Sequence, residues 1–296
     1  MSAATVEHHV TRASVGVGGS RYHRILIFWI PLVLFIVITL FPFYWMALAS
    51  FKANSELYNL LSFPFWVSTP TLEHYAYLFR EGSFFPRWML NTMIVAVAST
   101  AISLTFSVLA GYALARLRFK GAGTLGLLIF VSYLVPQTLL FIPLFEVINK
   151  LQIADTYWAL ILTYPTFLIP FCSWMLMGYF RSIPRELEES AMIDGSSRVG
   201  ALWRIVLPLA LPGLLSAGIF AFTLSWNEFT YSLVFITSDQ MKTLPVGINQ
   251  KLLTADVYPW GQVMGAALLA SVPVAVVYAF FSDYYVAGLT AGAVKG

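Results

Sequence analysis

The residue whose type and position best suit chemistry is Glu228, an acid well inside an apolar stretch of the sequence. A carboxylate at membrane depth is costly and is by default a candidate functional group. Its neighbours Trp226 and Asn227 add an aromatic face and an amide, which suit the C–H surface and the hydroxyls of a sugar. Tyr231 follows at i+3 on nearly the same helix face. These four residues, with Asn91 of another apolar stretch, are candidates for lining a substrate path. The alternative is that Glu228 satisfies a polar group of a neighbouring helix or shapes an outer gate.

A second group of acids lies in residues 181–195, which read RSIPRELEESAMIDG. Pro184 suits a first helical turn, because its missing N–H would be unpaired there in any case. Acids early in the segment favour the positive end of the helix dipole. Gly195 can adopt the left-handed backbone that ends a helix. The segment therefore predicts a helix of about three turns, lying outside the bilayer.

This short helix is expected to have an apolar side and an acidic side. The apolar side chains are Leu187, Ala191, Ile183 and Met192. A short amphipathic helix can lie on lipid or dock into the groove of a partner. The acids Glu188, Glu189 and Asp194 favour a protein partner, because an anionic inner leaflet attracts basic faces instead.

Other patterns that could do chemistry lack the context they need. Residues 121–126 match the dinucleotide pattern G-x-G-x-x-G, but they stand between two apolar stretches with no strand before them. No G-x-x-x-x-G-K-[ST] loop occurs, so energy from ATP would have to arrive through a partner. The histidines form no metal pair with a third ligand nearby. We therefore expect no catalytic residue, no metal and no cofactor bound by this chain.

Composition identifies the setting of these residues. Of 296 residues, 59% are hydrophobic and 10% are charged, and the mean hydropathy is +0.77. Soluble proteins carry about 25% charged residues, so ordinary cytosolic enzymes are excluded. The net charge of +3 is too small and too scattered to indicate nucleic acid as a partner. The single cysteine, Cys172, cannot form an internal disulfide.

Six apolar stretches are each long enough to cross a bilayer as a helix. They are approximately Ile25–Ala49, Trp88–Ala115, Thr124–Ile148, Tyr157–Phe180, Val206–Ile236 and Gln262–Phe281. Barrel strands alternate in polarity at every second residue, whereas these stretches are continuously apolar. The sequence therefore predicts an all-α integral membrane protein with six transmembrane helices over residues 25–288. The short helix then lies between helices 4 and 5, in a loop over residues 181–208.

Charge distribution predicts the orientation. Of the 17 lysines and arginines, eleven fall on one side of the predicted helices and six on the other. The excess of positive charge marks the cytoplasmic side. Both termini, residues 1–24 and 289–296, are then expected in the cytoplasm, together with the loop 181–208. The expected location is the cytoplasmic (inner) membrane, with several passes.

Two further patterns concern how the helices pack. Small residues recur every four positions in the second stretch and share one helix face: Ser99, Ser103, Ser107, Gly111 and Ala115. Such a face lets helix backbones approach closely in lipid. Prolines in the third and fourth stretches predict kinks or local opening at Pro136, Pro143, Pro165 and Pro170.

A gapped motif follows the fourth stretch. It consists of Glu189-Ser190-Ala191, then Gly195, Ile205 and Leu207-Pro208. This resembles the hallmark of permease subunits of binding-protein-dependent ABC importers, which is Glu-Ala-Ala, three residues, Gly, nine residues, Ile, one residue and Leu-Pro. All three spacings agree. Ser190 replaces the middle alanine, a change between small residues.

Further segments are similar to the carbohydrate branch of that family, and specifically to the maltose-type second permease. These segments are Trp88–Thr92, Trp226–Phe229 and Gly288–Gly296. The similarity runs from about residue 25 to the end of the chain.

The resemblance implies partners. These would be a homologous second permease, two ATPase copies that bind ATP and Mg, an extracytoplasmic sugar-binding protein and the lipid bilayer. The cargo would be a mono-, di- or oligosaccharide, or a related polyol or sugar phosphate.

The resemblance also implies which residues act. The residues that would couple to the ATPase are Glu188, Glu189, Ser190, Ala191, Asp194, Gly195, Ile205, Leu207 and Pro208. Gly292 and Ala293 would reach between the two ATPase copies. In the outer loop 237–260, Asp239, Lys242, Lys251 and Asp256 would contact the binding protein.

Two other classes of protein are weighed against this interpretation. A gradient-driven secondary carrier for a polar solute would usually show inverted repeats and several buried titratable residues. A membrane-embedded enzyme would need paired acids, histidines or a metal set within the apolar stretches. We find neither set of features in the sequence.

Overall fold

The computed structural model describes residues 25–253 and 258–290, with side chains described as far as Ser282. Within these residues every regular element is helical, apart from an isolated antiparallel bridge between Lys52 and Pro70. Residues 1–24 and 291–296 of the expected tails, with Gly292 and Ala293, lie outside the described residues, as does Asp256; Leu289 and Thr290 belong to the last helix. The chain divides after Met46 into two compact units, and the features below belong to the second unit unless stated.

The helices follow one another with short connections. In chain order they are α1 Ile30–Phe51, which follows a π-helical turn over Ile25–Trp29, α2 Asn54–Leu57, α3 Glu73–Phe79, α4 Phe85–Arg116, α5 Ala122–Leu134, α6 Gln137–Lys150, α7 Tyr157–Thr163, α8 Pro165–Ser182, α9 Arg185–Ile193, α10 Arg198–Ala201, α11 Leu207–Leu209, α12 Leu211–Trp226, α13 Thr230–Phe235, α14 Leu244–Leu252 and α15 Trp260–Thr290. A second π-helical turn, Leu202–Val206, joins α10 to α11.

Helices that could cross a membrane are of two kinds. Four run without a sharp bend: Ile25–Phe51, Phe85–Arg116, Tyr157–Ser182 and Trp260–Ser282. Two more candidates are bent pairs, α5 with α6 and Arg198–Leu209 with α12. By length and composition, the described residues therefore contain four candidate spans, or up to six if each bent pair is one span.

The bend between α5 and α6 measures 98° and falls where the sequence predicts a break. Val135 has an extended backbone (ψ 123°) before Pro136, as expected because a proline disfavours helical geometry in the residue before it. The other prolines act differently. Pro143 and Pro170 lie inside helices. Pro165 starts α8 without a sharp bend, because Tyr164 keeps helical dihedral angles at the junction with α7.

The fifth apolar stretch, predicted as one run over Val206–Ile236, is divided in two places. The first division is a 79° bend at Ala210, just before α12. The second is the segment 227–229, where the chain leaves α12 and starts α13. The continuous helix expected from hydropathy is therefore wrong here, because apolar composition does not report where tertiary contacts open a helix.

The face of small residues on α4 is confirmed as a packing surface. All five of its members are buried, and α4 packs against α8 and α12. The Ser99 hydroxyl lies 3.0 Å from that of Ser225 on α12. The Ser107 hydroxyl donates to the Ile169 carbonyl of α8 at 3.2 Å. A Cβ placed on Gly111 would lie 3.1 Å from the Met177 nitrogen, so only glycine fits without a shift.

The largest core cluster joins α4, α7, α8, α12 and α13. It contains an aromatic group in which Tyr231 packs against Tyr164, Phe167 and Phe235. A second cluster lies around Phe85, Trp88, Trp226 and Leu244. These two clusters fix the helix ends that carry the candidate residues.

Candidate functional site

The helix predicted between residues 184 and 195 is present as α9, and it ends as the sequence indicates. Gly195 has a φ of +90°, a left-handed conformation that glycine adopts without a steric penalty. The N–H groups of Gly195 and Ser196 donate to the carbonyls of Met192 and Ala191 at 3.1 and 3.0 Å. This pair of hydrogen bonds is a Schellman motif, which satisfies carbonyls that the helix end would otherwise leave unpaired.

One side of α9 is accessible. Glu189, Ser190 and Asp194 are exposed, as are Leu187 and Ile193, the latter at 85%. Ala191 and Met192 are half-buried, and Ile183 is buried just before the helix. The exposed side therefore carries both acids and large apolar side chains, a combination that suits a protein groove better than water alone.

Glu188 departs from the other acids of α9 and from the expectation that it contacts a partner. Its side chain is buried, at 5% exposure, and faces α4. Its Oε2 lies 3.4 Å from Nε of Arg116, and its Oε1 accepts a hydrogen bond from the Tyr112 hydroxyl. A buried charge needs such pairing, which places Glu188 in the chain's own interior.

Arginines complete the attachment of α9 to α4. Arg116 donates through Nη2 to the Ile183 carbonyl at 2.8 Å, and Arg185 donates to the Ala115 carbonyl at 3.1 Å. A cavity of about 550 Å³ opens beside them, with Glu188, Glu189 and Met192 in its wall. Four arginines also line it: Arg116, Arg118, Arg185 and Arg198.

The later part of the motif lies in the segment between α10 and α12. Ile205 is half-buried in the π-helical turn, Leu207 is buried and Pro208 is exposed. Leu207 belongs to the main core cluster. Its side chain therefore anchors this segment to the helices, whereas Pro208 beside it remains exposed.

Glu228 lies at the non-helical segment between α12 and α13 and is 8% exposed. Its carboxylate accepts hydrogen bonds from the N–H groups of Tyr231 and Ser232 at 2.8 and 3.1 Å. It also accepts one from the Tyr164 hydroxyl at 2.9 Å. Glu228 and Tyr231 are thus brought together as predicted, but through the backbone of α13. In this conformation the acid caps that helix.

The other candidates for a substrate path have different environments. Trp226 is buried and donates to the Ala270 carbonyl at 3.1 Å. Asn227 is exposed, with its amide donating to the Thr223 carbonyl at 2.9 Å. Of the five predicted residues, Asn227 alone presents an exposed side chain.

Asn91 is fully buried and holds the loop between α13 and α14. Its amide donates to the carbonyls of Gln240 and Lys242 at 2.9 and 2.8 Å, and its oxygen accepts from the Tyr157 hydroxyl at 2.7 Å. All of its hydrogen-bonding atoms therefore have partners within the chain. The contacts to Gln240 and Lys242 span 149 and 151 positions and the contact to Tyr157 spans 66, which no local pattern predicts.

The charged residues expected to contact a binding protein are partly committed to one another. Lys242 and Lys251 each place Nζ 2.6 Å from a carboxylate oxygen of Asp239. Hydrogen bonds from Lys242 and then Lys251 hold the pKa of Asp239 below its ordinary value. Lys242 is buried, so the expectation that it is free to contact a partner is wrong. Lys251 remains exposed.

Asp155 is a structural residue that the sequence did not single out. Its carboxylate accepts from the backbone N–H groups of Thr237 and Ser238 at 2.9 Å, and also from the Ser238 hydroxyl. Burial alone would raise the pKa of Asp155, but these hydrogen bonds outweigh it and lower the pKa.

Tyr112 and Arg116 were missed as well. Their i, i+4 spacing at the end of an apolar stretch is the signal that could have found them.

Comparison with known proteins identifies the family. Residues 103–290 match the family described as binding-protein-dependent transport system inner membrane component. The chain is 41% identical over 273 residues to the inner membrane ABC transporter permease protein YcjP of Escherichia coli (strain K12), covering 91% of this chain and 96% of that protein. It is 37% identical over 274 residues to the trehalose/maltose transport system permease protein MalG of Thermococcus litoralis, covering 92% and 97%.

A solved structure has the same fold. It is a chain of a bacterial ABC transporter involved in the import of the acidic polysaccharide alginate. The TM-score is 0.78 at 21% identity, over 90% of this chain and 98% of that one. The chain therefore belongs to the inner membrane components of binding-protein-dependent transport systems. It is a multi-pass membrane permease component, not an enzyme.

Proposed function

We propose that this chain is the carbohydrate-translocating permease subunit of an ABC importer, and that α9 is the helix on which its ATPase acts. The observation that carries this proposal is the division of α9 into two sides. Glu189, Ser190 and Asp194 are exposed on one side. Glu188 fixes the other side to α4 by a buried ion pair. A helix built in this way can be held by a partner and can pass that partner's movement inward.

The membrane arrangement that fits this role has six spans with both termini in the cytoplasm. Each bent pair then counts as one span, and α9 lies on the cytoplasmic side with the excess of lysine and arginine. The domain arrangement follows: a tail over residues 1–24, a permease domain over 25–288 with its coupling loop at 181–208, and a tail over 289–296.

The energy source in this proposal is ATP hydrolysis by two partner ATPase copies, which bind ATP and Mg. The sequence has no phosphate-binding loop of its own. Among the described residues, no group of three or more histidines, cysteines or acids could hold a metal ion. A gradient-driven carrier is the second candidate. The family to which the chain belongs is described as binding-protein-dependent, and this description favours the ATP-driven importer over the carrier.

The cargo in this proposal is a carbohydrate. The relative from Thermococcus litoralis is named for trehalose and maltose, and it matches over nearly the whole chain. Asn227 is exposed and can offer its amide to sugar hydroxyls, while Glu228 shapes the segment that presents it. A homologous second permease would complete the cavity, and an extracytoplasmic sugar-binding protein would deliver the sugar.

The experiment that tests this proposal is isolation of the tagged chain from its native membranes in mild detergent, followed by mass spectrometry. We expect an ATPase, a second multi-span permease and a sugar-binding protein in the isolated complex. The ligand retained by the binding protein then identifies the sugar. Isolation of this chain alone, under conditions that preserve other membrane complexes, would contradict the importer and favour a self-sufficient carrier.

A further inference from the structure

The helix α4 is the longest continuous helix of this unit within the residues that the structure describes, and it carries no internal proline after its first turn. It runs over 32 residues, from Phe85 to Arg116. At 1.5 Å per residue it is about 48 Å long, more than a bilayer's hydrocarbon core. The bent pairs described above differ from it, because each is interrupted, one near Pro136 and the other at Ala210.

The inner end of α4 is attached to α9 by buried groups. Tyr112 and Arg116 both hold Glu188, and Arg116 also holds the Ile183 carbonyl. Removal of one member of a buried ion pair leaves an uncompensated charge and is costly. A displacement of α9 that kept this pair together would therefore carry the end of α4 with it.

The outer end of α4 is attached just as firmly to the outer loop. Trp88 donates through Nε1 to the Asp239 carbonyl at 2.6 Å. Asn91 holds two carbonyls of the loop, and the Thr92 hydroxyl accepts from the Leu244 N–H at 2.7 Å. The indole of Trp88 also lies against Gly247, where a Cβ would come within 2.2 Å of the ring.

We infer that α4 is a rigid relay between α9 and the outer-loop segment 239–244, and that Tyr112, Arg116, Glu188 and Asn91 are its positioning residues. This inference rests on the proposed role of α9. When the ATPase moves α9, the inner end of α4 moves with it, and the outer loop changes position at the opposite membrane surface. The small residues between the two ends keep α4 closely packed on α8 and α12, so α4 moves as one body with the helices it packs against.

The relay predicts a particular relationship between distant substitutions. Asn91 and Arg116 are 25 residues apart, which corresponds to about 38 Å along a helix. Substitutions at sites farther apart than about 10 Å are normally independent. In a serial relay, by contrast, once one attachment is lost the loss of the other has no further effect. The reductions that the two substitutions cause in the response of the loop to ATP are then non-additive.

The test uses the assembled complex in liposomes, with Gln240→Cys carrying an environment-sensitive fluorophore in a Cys172→Ser background. Gln240 is exposed, so the label can attach without entering the core. The measured quantity is the fluorescence change on addition of Mg-ATP. We expect Glu188→Gln and Asn91→Ala each to reduce this change at least threefold, and the double variant to reduce it no further. Lys120→Gln, which removes a charge from an exposed residue just beyond the same end of α4, is the control and should respond like the wild type.

Retention of the ATPase is measured on the same samples, because it separates the possible outcomes. If the variants keep the ATPase and respond fully, or if their fold-losses multiply, the relay is overturned while the role of α9 stands. If the wild-type chain retains no ATPase or gives no ATP response, the proposed function fails and the relay fails with it. Tyr112→Phe, which keeps the ring and the ion pair, replaces Glu188→Gln if that variant does not assemble.

Discussion

The Tyr164 hydroxyl donates a hydrogen bond of 2.9 Å to the carboxylate of Glu228. This contact joins the α7–α8 junction to the segment between α12 and α13. The same carboxylate accepts two N–H groups at the start of α13. An acid that its sequence context marks as a candidate for binding substrate thus has both carboxylate oxygens engaged in fixing the chain. This gives a direct test of which role it has.

Replacement of Glu228 by alanine is expected to lower stability. It leaves the Tyr164 hydroxyl and two backbone N–H groups buried without an acceptor, at about 1–3 kcal/mol for each such group. The unfolding midpoint in detergent should fall, and sugar uptake by the assembled transporter should fall with it. Asn227→Ala is the matched comparison, because the side chain is adjacent but exposed. It should reduce uptake and leave the midpoint unchanged. An unchanged midpoint in Glu228→Ala would contradict the capping role.

Reversal of charge on the exposed side of α9 should disrupt coupling. Glu189→Lys is expected to weaken retention of the ATPase and to abolish transport, while the chain still inserts in the membrane. Retention is measured by co-purification and transport by uptake of labelled sugar. Glu81→Lys makes the same charge change at an exposed position between α3 and α4 and serves as the control. Normal transport by Glu189→Lys would show that α9 is not the site of ATPase action.

The packing of α4 on α8 is expected to reject even one methyl group. In Gly111→Ala the new Cβ would lie 3.1 Å from both the Met177 nitrogen and the Ser173 carbonyl oxygen. Because backbone atoms cannot move aside cheaply, we expect destabilisation of about 1–3 kcal/mol, seen as a lower unfolding midpoint. Gly178→Ala on α8 meets open space and is the control. It should be neutral, or stabilising by up to about 1 kcal/mol. Equal midpoints for the two variants would contradict the close approach.

The loop between α2 and α3, residues 58–72, should lose stability in acid. Burial alone would raise the pKa of Glu56. Hydrogen bonds from Ser68 and Thr69 and the charge of Lys52 outweigh it, lowering the pKa from 4.5 to about 2. The ionised carboxylate therefore stabilises the loop above about pH 4.5, and this contribution is lost as pH falls towards 2. Hydrogen-exchange protection of the Ser68 and Thr69 amides, corrected for intrinsic rates, should decline over that range. Glu56→Gln should show low protection at all pH values, and a pH dependence equal to the wild type would refute the assignment.

The features that could be predicted from sequence are those that depend on neighbouring residues. Continuous apolar composition identified the membrane helices, and Pro136 marked the bend after α5. The small face of α4 and the end of α9 at Gly195 follow from spacing and from backbone preference. Each depends on interactions within about four positions along the chain, so the order of residues is sufficient to reveal it.

The sequence by itself thus determined the family motif, the helices and the exposed acids of α9. Only the tertiary structure decided that Glu188 faces inward, because its partners on α4 lie more than 70 positions away. It likewise placed Asn91 against Lys242, 151 positions along the chain, and opened the fifth apolar stretch at Ala210. Local patterns state which side chains are polar, but the packing of whole helices decides which of them meet. Because burying a polar group without a hydrogen-bond partner costs free energy of desolvation, each buried polar side chain has to pair with such a partner.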